Sequence, residues 1–450
     1  MLSFGYRILF LMGLVVSSPY WLWRAWKKRE LGTIPERLGI TGIQFPKSKI
    51  KNQKSKISGS IWVHAVSVGE VLAAQPLIHA IRTMDPSRGV TLSVTTRTGL
   101  ELAGRALAPD DAVEGPLMFP LDLPWAVARR LREIRPAALV LIDTELWPCL
   151  IERASRNGVR LFLANGRISD RSFPRYALVK FFLKPLLSRF SRLWMQSKLD
   201  ADRILALGAP TDRVHVGGNL KIDAMVLNER RAGAGAAGSG PVRIDPDAPP
   251  LLLAASTHPG EEEVMLEAAK AWKSQGRSFR LALAPRHPER AKEVRARIEA
   301  HGFRPILRSM IRPSPGDVDT AWPAVAGASD VLLIDTIGEL TRVFFPRASV
   351  VFVGGSLVPV GGHNIFEPAA FGRPILFGPH MENFRDAEEA LADRGALRVT
   401  SKEAFAGAAA PILFDRDRAE RMGRQAREAF DSLQGAAGRI AAELLETMTA

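Results

Sequence analysis

At 450 residues the chain exceeds what one small core serves and suits two α/β domains of ordinary size. Its 46% apolar and 24% charged residues exclude a disordered chain, and a single cysteine, Cys149, excludes an intramolecular disulfide or a cysteine-based zinc site. The formal net charge of +14 asks for an anionic partner: nucleic acid, an anionic membrane surface or a phosphorylated substrate. Nucleic acid is disfavoured, because zinc-finger spacing, RNP-type aromatic strands and basic helices with heptads are all missing from the sequence.

The apolar N-terminus points to membrane. It runs from Ile8 to Trp23, with Arg7 before it and Arg24, Lys27, Lys28 and Arg29 after it. A full span needs about 20 apolar residues, whereas this stretch is shorter and contains Ser17, Ser18 and Pro19. A cleaved signal peptide is poorly supported, since only Arg7 charges the front and no A-x-A-type site follows. Tyr20, Trp21 and Trp23 beside a basic cluster suit a membrane interface better than a protein core. Residues 1–30 therefore read as a membrane-anchor helix, spanning or interfacial, with the rest of the chain on the cytoplasmic side. Lys47, Lys49, Lys51, Lys54 and Lys56 follow without an acid between them, as an exposed loop that is either solvated or against anionic headgroups.

From Ile61 onward, short β-branched runs alternate with helix-length segments. Ile61–Val66, Val90–Thr95, Ala138–Ile142 and Val159–Ala164 form one series. Leu251–Ala255, Phe279–Ala284, Val331–Ile334, Ser349–Val353 and Pro374–Phe377 form a second. This is the pattern of βαβ units with parallel sheets. The small-residue stretch 231–240 reads as a flexible linker between domains at 31–230 and 241–450. The expected architecture is two Rossmann-like doubly wound domains facing a cleft, with ligands at the carboxyl ends of the strands. Gly233, Gly235 and Gly238 match G-x-G-x-x-G, but no apolar strand precedes them, so the match is accidental.

Several strand ends carry chemistry. Ile61-Trp-Val-His-Ala-Val-Ser-Val-Gly-Glu70 is a strand running into a helix start. There Glu70 either complements the helix dipole or takes a proton from an attacking hydroxyl. Leu141-Ile-Asp-Thr-Glu-Leu-Trp-Pro148 repeats the arrangement, with Asp143 or Thr144 available as a helix cap. Arg167 ends a nearby strand, as a surface arginine or a cleft cation. Ala284-Pro-Arg-His-Pro288 offers an arginine fork to a phosphate or carboxylate. Asp335-Thr-Ile-Gly-Glu-Leu340 is a further strand-to-helix turn. In Phe352-Val-Gly-Gly-Ser-Leu357 and Gly361-Gly-His-Asn-Ile-Phe-Glu-Pro368, paired glycines expose backbone amides to a phosphate. Glu367 is placed to accept from ribose hydroxyls. The four Asp-x-Asp strings, Asp200–Asp202, Asp245–Asp247, Asp317–Asp319 and Asp415–Asp417, follow no strong strand and read as surface.

Taken together, His64–Glu70, Asp143–Pro148, Asn165–Ser169, Gly217–Asp223, Ser256–Glu261, Pro285–Arg290, Gly354–Pro368 and Gly378–Phe384 resemble the 3-deoxy-D-manno-octulosonic acid (Kdo) transferases of lipopolysaccharide and lipid A biosynthesis. The likeness runs in order from the anchor to about residue 385. It implies a GT-B arrangement, CMP-Kdo as donor and a lipid A precursor (lipid IVA) as acceptor, at the cytoplasmic face of the inner membrane. It implies Glu70 as general base, with Asp143 and Lys221 stabilising the transition state. Arg286, His287, Ile337, Gly338, Glu339, Asn364, Ile365, Phe366 and Glu367 fall on donor-binding positions. No cofactor and no metal are expected. Two departures stand out: the family opens Glu-Thr-Glu-Leu-Trp where this chain has Asp143, and it usually has alanine where this chain has Gly166. The rival readings are a GT-B enzyme with another donor or acceptor and a non-catalytic, membrane-attached nucleotide-binding module.

Overall fold

The computed structural model describes residues 33–41, 59–106, 113–233, 248–311 and 329–449. The expected anchor at 1–30, the lysine-rich loop and most of the expected linker lie outside these residues. Residues 231–233 still belong to the helix Leu220–Gly233. Among the described residues, no helix is long and apolar enough to cross a membrane.

The chain divides into two units, Met1–Leu227 with Gln434–Ala450, and Asn228–Leu433. The first is built on a parallel seven-stranded sheet of β1 (Ile61–Ala65), β2 (Val90–Val94), β3 (Val113–Met118), β4 (Ala138–Ile142), β5 (Arg160–Gly166), β6 (Phe190–Met195) and β7 (Val214–Val216), in the order β3-β2-β1-β4-β5-β6-β7. β1, β2 and β4 are buried along their whole length, which explains why they read as unbroken apolar runs. Side chains alternate between two cores. Ile61, Val63 and Ala65 enter one and Trp62 the other.

The last helix, Ala436–Thr449, packs in this first unit, so the second domain ends at Leu433 and not at 450 as the sequence reading had it. Its stripe of Ala437, Ile440, Ala441 and Leu444 follows helical spacing and joins the core around β1 and the helix Val68–Met84. Polar contacts pin both ends of that packing. The Asp223 carboxylate accepts from the amides of Gly435 (2.7 Å) and Ala437 (2.9 Å), and Trp194 Nε1 donates to Glu443 (2.6 Å).

The second unit repeats the plan with β8 (Leu251–Thr257), β9 (Arg280–Pro285), β10 (Arg304–Leu307), β11 (Asp330–Leu333), β12 (Val350–Val353), β13 (Ile375–Phe377) and β14 (Ala396–Arg398), ordered β10-β11-β9-β8-β12-β13-β14 and parallel. In each sheet the order reverses beside its first strand, at β1/β4 and at β8/β12. Chains leaving the carboxyl ends of such neighbours diverge and leave a crevice, where ligands of this fold bind.

One helix start differs from expectation. Neither Asp143 nor Thr144 caps the helix Pro148–Arg156. Its free amides at Cys149 and Leu150 donate to the buried carboxylate of Asp122 at 2.9 and 2.8 Å. Thr144 instead links to the backbone of Arg167, donating to its carbonyl (2.5 Å) and accepting from its amide (2.9 Å). Replacing Asp122 with alanine leaves two buried amides unsatisfied. Asp122→Ala should lower unfolding stability by about 1–3 kcal/mol in urea titration; an unchanged midpoint would show that water replaces the carboxylate.

Candidate active site

At the β1/β4 crevice, Ser67 caps the helix Val68–Met84 and Glu70 occupies its third position. The Glu70 carboxylate is fixed from both sides: Oε2 accepts from the Val66 amide (2.7 Å) and Oε1 from the Ser67 hydroxyl (2.9 Å). Burial pushes its pKa up, the two hydrogen bonds oppose that, and the charges of Asp143 and Lys221 act on it in opposite directions. Glu70 thus sits electrically beside both other residues that the sequence singled out.

Asp143 follows β4 with φ of 57°, in the left-handed region that aspartate and asparagine tolerate better than glutamate does. That is a local physical reason for Asp where the family pattern has Glu. Its Oδ1 accepts from Asn165 Nδ2 (2.6 Å), and its Oδ2 lies 3.7 Å from Lys221 Nζ. Asn165, fully buried at the end of β5 and itself at φ of 62°, accepts from the Leu220 amide (2.8 Å) with its other side-chain atom. One amide side chain therefore ties the Asp143 turn to the helix start that carries Lys221. The family motif contained Asn165, but nothing local in the sequence indicated this bridging role. Space at Gly166 is filled by the Met195 thioether, which a β-carbon would meet at 2.5 Å.

The helix begins only at Pro148, and Glu145 stands in the loop before it, close enough to be repelled by Glu70 and Asp143. Burial chiefly, and then those two charges, push it up to about 7. Arg167 is exposed. His64 stacks on Phe119 (3.7 Å between ring centres), and burial lowers its pKa to about 3, so it is a neutral core histidine.

The second unit corrects the expected phosphate cradle. The amides of Gly355, Ser356 and Leu357 donate at 2.7, 3.1 and 2.9 Å to the buried carboxylate of Glu261, which also accepts from the His258 amide at 2.9 Å. These amides are already occupied and do not face an outside anion. Gly354 is required here, because a β-carbon would lie 2.5 Å from the Ser256 carbonyl; Gly355 holds φ of 68° beneath the rings of His258 and His363. Those two histidines share a hydrogen bond of 2.9 Å between their Nε2 atoms, and His287 stands edge-on to His258 at 6.0 Å. Burial lowers His363 to about 4, helped by the charges of His258, Arg286 and His287.

Arg286 follows β9, exposed, and its charge reaches His258, His363 and Glu367, so the motifs after β8, β9 and β12 converge on one place. Asn364, just ahead of the short helix Phe366–Ala370, accepts from the Phe366 amide (3.0 Å) and donates to Glu367 (3.3 Å). Ile365 and Phe366 have buried side chains, which leaves only their backbone for a ligand. Glu339 is spent internally on Arg308 (2.8 Å) and Thr336, so its loop offers the exposed Ile337 and the left-handed backbone of Gly338.

Among the described residues, no group of three or more His, Cys, Asp or Glu side chains could hold a metal ion. Two Asp-x-Asp strings are structural. Asp200 accepts from the Ile168 amide and the Ser197 hydroxyl, and Asp415 caps the helix Arg416–Ser432. The other two lie outside the described residues.

Two doubly wound α/β units of this kind make up the GT-B type of fold, and solved structures share it. UDP-GlcNAc 2-epimerase from Neisseria meningitidis, 12% identical, gives a TM-score of 0.57 over 87% of this chain and 99% of its own. A glycosyltransferase from Rickettsia africae, 11% identical, gives 0.54 over 87% and 99%. A family model described as 3-Deoxy-D-manno-octulosonic-acid transferase (kdotransferase) matches residues 32–224. The 3-deoxy-D-manno-octulosonic acid transferase of Haemophilus influenzae is 32% identical over 388 residues, 84% of this chain and 85% of that protein. The Bordetella pertussis protein of the same name is 32% identical over 459 residues, 98% of each chain. The chain belongs to the 3-deoxy-D-manno-octulosonic acid transferase family, and it is a glycosyltransferase.

The raised Glu145 gives a stability test. Between its ordinary value of 4.5 and about 7 the folded state holds a proton that the unfolded state has lost. Stability from this residue is therefore full below 4.5 and declines as pH rises through that window. Glu145→Gln should leave the melting temperature unchanged at pH 4 and raise it at pH 8. Equal melting temperatures at both pH values would contradict the burial of this charge.

Proposed function

We propose that the chain transfers Kdo from CMP-Kdo to a hydroxyl of a lipid A precursor, lipid IVA, during lipopolysaccharide synthesis at the cytoplasmic face of the inner membrane. The observation that carries this reading is Glu70: a partly desolvated carboxylate, held by two hydrogen bonds at a β1/β4 crevice and electrically coupled to Asp143 and Lys221. Glu70 takes the proton from the acceptor hydroxyl, and that oxygen attacks the anomeric carbon of Kdo. The bond from that carbon to the CMP phosphate breaks, with inversion. Asp143 opposes the positive charge of an oxocarbenium-like transition state, and Lys221 and Arg286 offset charge on the departing phosphate. His287, Asn364, Glu367, the Ile337–Gly338 backbone and the backbone at Ile365 and Phe366 hold the nucleotide sugar. One breaking phosphate ester can be served by cations and amides, so no metal takes part. Residues 1–30 hold the enzyme to the membrane.

Glu70→Gln keeps the size of the side chain but loses the base. Transfer should fall at least about 100-fold, while CMP affinity, carried by the other unit, stays within twofold of wild type. Retained turnover, or lost CMP binding, would make Glu70 structural. Asparagine is the informative change at position 143, because it accepts the left-handed backbone. Asp143→Asn should cut turnover at an unchanged melting temperature, and a loss of melting temperature alone would strike the residue from the site.

Activity should survive EDTA in metal-free buffer. Inactivation that Mg²⁺ or Mn²⁺ reverses would overturn the metal-free mechanism.

A further inference from the structure

His258 after β8, His287 after β9 and His363 after β12 gather at the carboxyl end of the second sheet. His258 and His363 meet Nε2 to Nε2 at 2.9 Å, with ring centres 5.1 Å apart and planes 14° apart. The imidazoles are therefore set tip to tip in nearly one plane. The backbone fixes both rings. Glu261 accepts from the amides of His258 and Gly355, and Gly362, next to His363, donates to the Gly355 carbonyl (2.8 Å). Two N–H groups cannot face each other at 2.9 Å, so one proton lies between the rings, where one Nε2 donates and the other accepts. A further proton enters only at an outer Nδ1. The pair then carries one positive charge, with its hydrogen bond intact and charge-assisted. Any more would break the bond.

The charges around the pair leave a cation over. On the β8 turn, Glu261 is spent on backbone amides, Glu262 on Arg290 (2.8 Å), and Glu263 on Arg297 and the Gly260 amide. Lys402, from the turn after β14, comes close to Gly260, and His380, after β13, lies 3.4 Å from its neighbour Glu382. Arg286 is exposed and forms no ion pair among the described residues, although its charge reaches His258, His363 and Glu367. Burial first, then the charges of His287 and Arg290, lower His258; burial and the charges of His258, Arg286 and His287 lower His363 to about 4. This surround holds the pair neutral. An anion beside Arg286 offsets the repulsion, and an opposite charge favours the imidazolium form.

We propose that His258 and His363 act as one proton-accepting unit of the nucleotide site, taking up a single proton when a phosphate monoester binds beside Arg286. This rests on the CMP reading above. As the bond from the anomeric carbon to the phosphate breaks, its electron pair stays on the phosphate oxygen, which gains a second negative charge. A proton from water, taken at an outer Nδ1, matches that charge, while the proton of the acceptor hydroxyl goes to Glu70. Arg286 supplies a fixed charge and the histidines a conditional one. The site thereby favours the departing monoester over the diester it came from.

Calorimetry of CMP binding to the full-length protein at pH 7, in two buffers of different protonation enthalpy, counts the proton directly. The phosphate of CMP has a second pKa of about 6 and is mostly a dianion there, so uptake belongs to the protein. Wild type should take up about half a proton or more per CMP bound. Uptake on binding means that affinity is greatest below the pKa of the bound pair and is lost as pH rises through it. Affinity should therefore rise about threefold from pH 8 to pH 7. His258→Gln and His363→Gln should each lose the uptake and the pH dependence while still binding CMP, because a lone imidazole has no partner to share the charge. His287→Gln should keep both. Wild-type binding without proton uptake would overturn the proposal, as would uptake retained in either of the first two variants or lost only in the third. Should a variant lower the melting temperature, the wild-type proton count decides alone. Failure of wild type to bind CMP at all would instead count against the nucleotide reading.

Discussion

The first unit's site depends on one buried side chain. Asn165 donates to Asp143 with its nitrogen and accepts from the Leu220 amide with its oxygen, so it joins the turns after β4 and β7. Both of its polar ends are satisfied, as a fully buried amide requires. Without it the Asp143 carboxylate and the Leu220 amide lose partners in a place with little water. The segment so held is braced again from behind. Asp223, two residues beyond Lys221, accepts from the start of the last helix, and Gly217 fits between Trp194 and Ile440. The return of residues 434–450 to the first unit is thus part of how Lys221 is kept 3.7 Å from Asp143.

The second unit uses a carboxylate where many nucleotide-binding folds hold a phosphate. Glu261 satisfies four backbone amides, three of them in the glycine-rich turn after β12. A buried acid accepting so many amides is a rigid strut, and the turn it shapes presents His258 and His363 rather than empty N–H groups. On the proposed function, an incoming anionic donor meets the Arg286 guanidinium and the histidines. This division separates scaffold from recognition: Glu261 and Glu339 are consumed inside, while Arg286 and His287 remain exposed.

Much of this was legible in the amino acids. The buried parallel strands announced themselves as apolar runs, and Glu70, Asp143 and Lys221 stood in motifs that the fold brings to one crevice. β3, β6, β7, β10 and β14 were not legible, because they lie away from the sheet centres and are short or polar: β3 carries Gly115 and Pro116, and β7 has 3 residues. The polar partnerships were equally hidden. Asn165 is 22 residues from Asp143 and 55 from Leu220, Asp122 is 27 from Cys149, and Glu261 is 94 from Gly355. Periodicity and capping rules read only neighbours, so Asp143 and Thr144 looked like caps while the true cap came from another turn. The amides after β12 looked free for the same reason.

The central claim is the proposed transfer of Kdo to a lipid. The most direct measurement is the mass of a tetra-acylated lipid A precursor after incubation with purified full-length protein and CMP-Kdo. The account predicts a lipid heavier by one or more Kdo residues, with CMP released in equal number. An unchanged lipid with CMP-Kdo, alongside a mass gain from a different nucleotide sugar, would contradict it.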